Sequence, residues 1–280
     1  MPLVSTGDLV GPAAKNGAGC GAFNAIQLEH VTAIVAGAEA AGSPVVLQLS
    51  QNAVRYHGGL APIGGAALAA ARAASVPVAV HLDHAESPDL VREAVDLGFG
   101  SVMFDASTLD YADNVRETRR MVEHCHAAGV WVEAELGEVG GKDGVHAPGA
   151  RTDPGEGREF AAATGVDALA VAVGSSHAMV TRDAELDFEL IAALRAEVGV
   201  PLVLHGSSGV ADEHLGTAVR RGMTKINIAT QLNKVFTAGV REFMADRPEV
   251  VDPRKYLGAG RDRVAAEVTR LLGVVLAVRA

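Results

Sequence analysis

Short apolar runs rich in Val, Leu and Ala alternate along the chain with longer segments of Ala, Leu, Glu and Arg, and the alternation repeats eight times. The runs cover residues 19–24, 44–50, 77–84, 101–107, 131–137, 168–174, 201–207 and 225–230. Several are almost continuously apolar, as strands of a parallel sheet are when both faces are buried. The segments between them read as connecting helices. Helix starts are marked by Asp110, by Asp212, and by Ser87-Pro88, an N-cap residue followed by proline in the first turn. Pro44, Pro77 and Pro201 stand at the head of three runs, where a missing N–H breaks no ladder.

Eight strand-helix units in one chain predict an α/β protein built as a (β/α)8 TIM barrel. A doubly wound open sheet is the rival, and it would need about two fewer strands. No linker, low-complexity segment or strong internal repeat divides the sequence. Residues 1–280 are therefore read as a single barrel domain with a C-terminal helical extension. One long irregular stretch, 137–157, follows the fifth run and is expected to be a mobile active-site loop.

In such barrels chemistry sits at the carboxyl ends of the strands. Those ends carry Asn24, Ser50, Asp83 with His84, Asp105, Glu135, His177 just past the sixth run, His205, and Asn227 with Thr230. The opposite ends are mostly Pro, Val and Ala. Three histidines from three different strands, His84, His177 and His205, are the ligand set of a catalytic zinc with one position left open. Taken singly, a strand-end histidine is an ordinary hydrogen-bonded residue; the shared position makes the set. Beside His84, Asp83 is placed to give or take a proton, or else to cap a helix or support a ligating imidazole. His81 is assigned to a buried supporting position. The loops after strands seven and eight, "HGSSGVADEHL" and "NIATQLNK", offer glycine, helix N-termini and the hydroxyls of Ser207, Ser208 and Thr230 for a phosphate.

Composition narrows the partners. With 24 Lys+Arg against 34 Asp+Glu the formal charge is -10, so nucleic acid is excluded as a partner. A hydrophobic fraction of 49% supports a large core. Cys20 and Cys125 form no disulfide framework. The first residues lack a basic, apolar leader and no 18-residue apolar stretch follows, so a soluble cytoplasmic protein without membrane contact is expected.

The ordered pieces "GAFN", "HLDH", "SVMFDAS", "VEAELGEVGG", "GSSHAM", "VPLVLHGSSG", "KINIAT" and "DPRKYLG" resemble the class II, zinc-dependent fructose-bisphosphate aldolases and the related tagatose-bisphosphate aldolases, over about residues 2–265. The resemblance implies a dimeric or tetrameric barrel that reversibly cleaves a ketose bisphosphate to dihydroxyacetone phosphate and glyceraldehyde 3-phosphate. It implies Zn²⁺ on His84, His177 and His205, stabilising the enediolate left by cleavage, and Asp83 exchanging a proton with the C4 oxygen. Asp105 and Glu135 match positions that bind a second metal or support the first. Asn24 and Ser50 match the aldehyde side. Gly206, Ser208, Asn227 and Thr230 match the ketose-phosphate pocket, where a monovalent cation, Na⁺ or K⁺, is implied; Ser207 adjoins it.

Three departures from the family pattern bear on the site. The loop reads "GGKDGV", leaving Asp143 as the carboxylate nearest the position of the C3 acid, with Glu138 as its substitute. Ala178 stands after His177 where glycine is usual. Ala229 stands where many fructose-preferring members have Asp, as small residues do in the tagatose branch. Three other readings are weighed. A Schiff-base aldolase needs a lysine inside a strand, and Lys225 is read as opening the eighth strand at the wrong end. A metallohydrolase lacks its His-x-His pair in the first strand. A barrel that binds sugar phosphates without turnover is the non-enzymatic reading.

Overall fold

The computed structural model describes residues 2–136 and 150–276. Nine parallel strands run in chain order: β1 Leu3–Val4, β2 Cys20–Asn24, β3 Val45–Ser50, β4 Val78–Ala85, β5 Ser101–Phe104, β6 Trp131–Leu136, β7 Ala168–Val171, β8 Leu202–Leu204 and β9 Met223–Ile228. From β2 to β9 each strand pairs with the next, and β9 pairs back onto β2, so eight strands close a barrel with helices between them. This is the predicted (β/α)8 architecture.

The extra strand β1 has no counterpart among the predicted runs. It pairs with Val78 and Ala79, ahead of His81, where pairing with β5 begins. The helix that follows, Thr6–Lys15, packs Val10 against Cys20, Ala22, Val46 and Ala79 and floors the barrel. Polarity inside the barrel therefore runs along its axis, from these small apolar side chains to Gln48, His81, Glu133, His205 and Lys225, all fully buried.

Strands β5, β7 and β8 end three residues earlier than predicted, where the chain turns into the loops at the mouth of the barrel. Asp105, for example, folds its carboxylate back onto the Ser107 N–H and hydroxyl. The last strand starts at Met223, two residues before the predicted 225, and this corrects the placement of Lys225: it lies inside the strand, in the barrel interior. The irregular stretch is shorter than expected at its far end, since a helix begins at Pro154 with the Asp153 carboxylate accepting from Glu156 N–H. Residues 137–149 of that loop, with Glu138 and Asp143, lie outside the described residues.

The 24-residue helix Pro253–Leu276 rests on helices Leu28–Ala41 and Thr230–Asp246 and buries Val264, Val268, Leu271, Leu272 and Val275. Burial of each such side chain contributes about 1.5–3 kcal/mol. Among the described residues no helix is long and apolar enough to cross a membrane. Both cysteines are free and buried.

Candidate active site

A cleft of about 340 Å³ opens at the carboxyl ends of the strands. Its wall includes Asn24, Ser50, Asp83, His84, His177, Ala178, Gly206, Ser208, Asn227, Ala229 and Thr230, each predicted for the site.

Strand β4 delivers two adjacent side chains to this cleft, which a regular pleat cannot do. The register with β5 slips between Leu82 and Ala85, and His84 takes a left-handed φ of 49°. Such a conformation is rare for a residue with a Cβ and is sustained only by its surroundings. Here Asp105 supplies them, with its Oδ2 2.7 Å from His84 Nδ1.

The imidazoles of His84, His177 and His205 converge, with ring centroids 4.7, 5.0 and 5.4 Å apart. Glu135 joins them, and one donor atom from each of the four residues lies within 4.8 Å of all the others. Asp105 stands outside this group and acts on it through His84. The side chains fit a zinc ion by their chemistry: imidazole nitrogens and a carboxylate are zinc donors. Two of the imidazoles also carry the outer carboxylate partner that ligating histidines have, Asp105 for His84 and, for His205, Glu133 Oε1 at 3.0 Å from Nε2.

Asp83 is held by one oxygen. Asn24 Nδ2 donates to its Oδ2 at 2.7 Å, and Gln48 Nε2 fixes that amide by donating to Asn24 Oδ1 at 2.9 Å. Its Oδ1 makes no hydrogen bond among the described residues. Burial pushes the Asp83 carboxyl up, but His84, Lys225, His205 and the Asn24 hydrogen bond outweigh it and hold the group below its ordinary value. His81, two residues earlier on the same face, contacts Ser101 Oγ through Nδ1 at 2.8 Å. Burial, reinforced by Lys225 and opposed by Glu133, keeps His81 well below the usual imidazole value and therefore neutral.

The loops after β7, β8 and β9 meet on the other side of the cleft. Gly206 has φ +67°, and a Cβ there would lie 2.5 Å from the Ser176 carbonyl oxygen, so only glycine lets the two loops touch. Ser208 Oγ accepts from Ala229 N–H at 3.3 Å and Gln231 N–H at 3.1 Å, tying that loop to the start of helix Thr230–Asp246. Ser207 is a correction: it is buried and donates to the Leu204 carbonyl instead of facing the cleft. Ala178 adopts φ 58°, the conformation glycine provides freely.

Three interior residues escaped the strand-end reading: Gln48, Glu133 and Lys225. Glu133 and Lys225 lie two positions before Glu135 and Asn227 on their strands, and the strand period of two would have put each on its neighbour's face.

The family model described as fructose-bisphosphate aldolase class-II matches residues 4–278. A fructose-bisphosphate aldolase of Geobacillus stearothermophilus is 43% identical over 272 residues, covering 96% of this chain and 95% of its own. One from Staphylococcus aureus (strain Mu50) is 39% identical over the same shares. The crystal structure of the YdjI aldolase from Escherichia coli K12 superposes with a TM-score of 0.87 at 31% identity, covering 98% of this chain and 97% of that one. With the barrel closed and the histidine cluster at its mouth, these matches settle the family: the chain belongs to the class II fructose-bisphosphate aldolases, lyases that catalyse aldol cleavage.

Proposed function

We propose that this chain cleaves fructose 1,6-bisphosphate reversibly to dihydroxyacetone phosphate and glyceraldehyde 3-phosphate, using His84, His177 and His205 as zinc ligands and Asp83 to move the C4 hydroxyl proton. The observation that carries the reading is the convergence of three imidazoles and Glu135 within 4.8 Å, beside a carboxylate that the described residues hold by one oxygen.

Zinc at this position supplies Lewis acidity toward the ketone and its neighbouring hydroxyl. The protein's own groups do the rest. Asp83, kept ionised by its neighbours, accepts the C4 hydroxyl proton on Oδ1 as the C3–C4 bond breaks and returns it in condensation. Asn24 and Gln48 fix the carboxylate so that this oxygen faces the reacting bond. Gly206, Ser208, Asn227 and Thr230 receive the ketose phosphate where two loops and a helix N-terminus meet, and the implied Na⁺ or K⁺ belongs to the same pocket. Asp143 is assigned the C3 proton, with Glu138 as its substitute.

Ala229 lines the cleft where many fructose-preferring relatives have Asp, and this departure carries a second reading, tagatose 1,6-bisphosphate. A coupled assay of triose phosphate release from both bisphosphates, with and without chelator, decides. Chelator-sensitive cleavage of the fructose ester at the higher kcat/KM supports the assignment; preference for the tagatose ester transfers it.

A further inference from the structure

We propose that Lys225 is a positioning residue that fixes the polarity of two groups at the cleft: the ring of His205 and the amide of Asn227. Its Nζ lies 2.8 Å from Glu133 Oε2 and 2.8 Å from Asn227 Oδ1, and Lys225 and Glu133 are both fully buried.

Donor chemistry makes these contacts directional. An ammonium only donates, so the Asn227 atom that meets it is the oxygen. The amide NH₂ is thereby turned to the other side, and Asn227 lines the cleft. Two N–H donors face a bound oxyanion or carbonyl oxygen, the class of group a phosphorylated ketose brings. Toward His205 the same logic passes through Glu133. Its Oε2 is taken by Lys225, which leaves Oε1, 3.0 Å from His205 Nε2, to accept a hydrogen bond. A carboxylate has no hydrogen to give, so Nε2 carries a proton, and in the neutral ring Nδ1 holds the lone pair. That nitrogen is 3.4 Å from Glu135 Oε2, on the side of the four-donor cluster.

His81 cannot replace the lysine. Its Nε2 is 3.9 Å from Glu133 Oε2, beyond hydrogen-bond range, and its Nδ1 is engaged by Ser101. With a methionine at 225, Glu133 loses the contact that aims Oε1 at His205 and is able to turn toward His81. The Lys225 ammonium is held by Glu133 and Asn227 inside the barrel, and a borohydride test with substrate separates this positioning role from a Schiff-base role.

The inference rests on the zinc reading for what His205 Nδ1 faces, so its test separates the two. Histidine ¹⁵N NMR of the unaltered protein, metal-free and zinc-loaded, reads the tautomer without any substitution. We expect His205 to carry a proton on Nε2 in both states; an Nε2 without a proton in the metal-free protein overturns the inference. If zinc does not bind at all, the zinc reading fails while the metal-free tautomer still judges the positioning role. Zinc affinity by chelator competition is then compared between the unaltered protein and Lys225→Met. The expected result is a loss of roughly tenfold to a hundredfold together with a mixed His205 tautomer. A purely structural lysine would lower only the melting temperature, so unchanged affinity with a single Nε2–H tautomer contradicts the proposal. Removing one partner of a buried ion pair is strongly destabilising, and should Lys225→Met fail to fold, the tautomer of the unaltered protein decides alone.

Discussion

Asn24 donates its amide hydrogen to Asp83 Oδ2 at 2.7 Å, leaving Oδ1 as the carboxylate oxygen that no described residue holds. A group positioned in this way by one atom is built to move a proton with the other. Asp83→Ala should therefore lower kcat for cleavage by about a hundredfold or more, while metal analysis still finds near one zinc per chain. Full activity in the variant removes Asp83 from the mechanism.

The C3 proton is a separate step and has a separate readout. Asp143→Ala should slow exchange of the C3 hydrogen of dihydroxyacetone phosphate with deuterated water by about a hundredfold. Asp83→Ala should leave that exchange nearly intact. Normal exchange in Asp143→Ala assigns the step to Glu138 or to water.

Ala178 sits at φ 58°, a conformation that costs an L-residue roughly 1–2 kcal/mol. Glycine relieves this strain but adds about 0.4–1 kcal/mol of unfolded-state entropy. Relief exceeds the entropy term, so Ala178→Gly should stabilise by about 0.5–1 kcal/mol in urea unfolding. Ala178→Val, with a branched Cβ, should destabilise. A less stable glycine variant would show that the backbone at 178 is not held left-handed.

The fold was legible because period and placement agree: continuous apolar runs imply buried parallel strands, and eight of them imply closure. The strand-end rule found Asp83 and His84 at the end of β4, His177 past the end of β7 and His205 past the end of β8 because all lie on the carboxyl side of the barrel. It was blind one layer lower, where Glu133 and Lys225 read as ordinary strand residues whose partnership depends on three-dimensional register. It also could not see that His84 turns by a positive φ, since histidine gives no sequence signal for that conformation as glycine does at 206. Ser207 and Ser208 look equivalent in "GSSG", and only the left-handed turn at Gly206 decides which of them faces the cleft.

His30 offers a pH test away from the site. It is buried against Phe236, neither ring nitrogen has a hydrogen bond among the described residues, and burial lowers its pKa from 6.5 to about 4. The folded value lies below the unfolded one, so between pH 6.5 and about 4 the unfolded chain binds a proton that the folded chain refuses. Stability is present above 6.5 and lost as pH falls through that window, by about 3 kcal/mol from this group. His30→Leu should lose correspondingly less between the two pH values in urea titrations. Parallel profiles for the two proteins would contradict it.

The central claim is that His84, His177 and His205 hold a zinc ion on which ketose cleavage depends. Its most direct test is release of triose phosphate from fructose 1,6-bisphosphate by protein stripped with chelator and titrated with zinc. The account predicts no cleavage without metal, recovery that saturates at one zinc per chain, no recovery in His205→Ala, and no inactivation by borohydride in the presence of substrate. Cleavage that persists in the metal-free protein, and that borohydride abolishes, would contradict it.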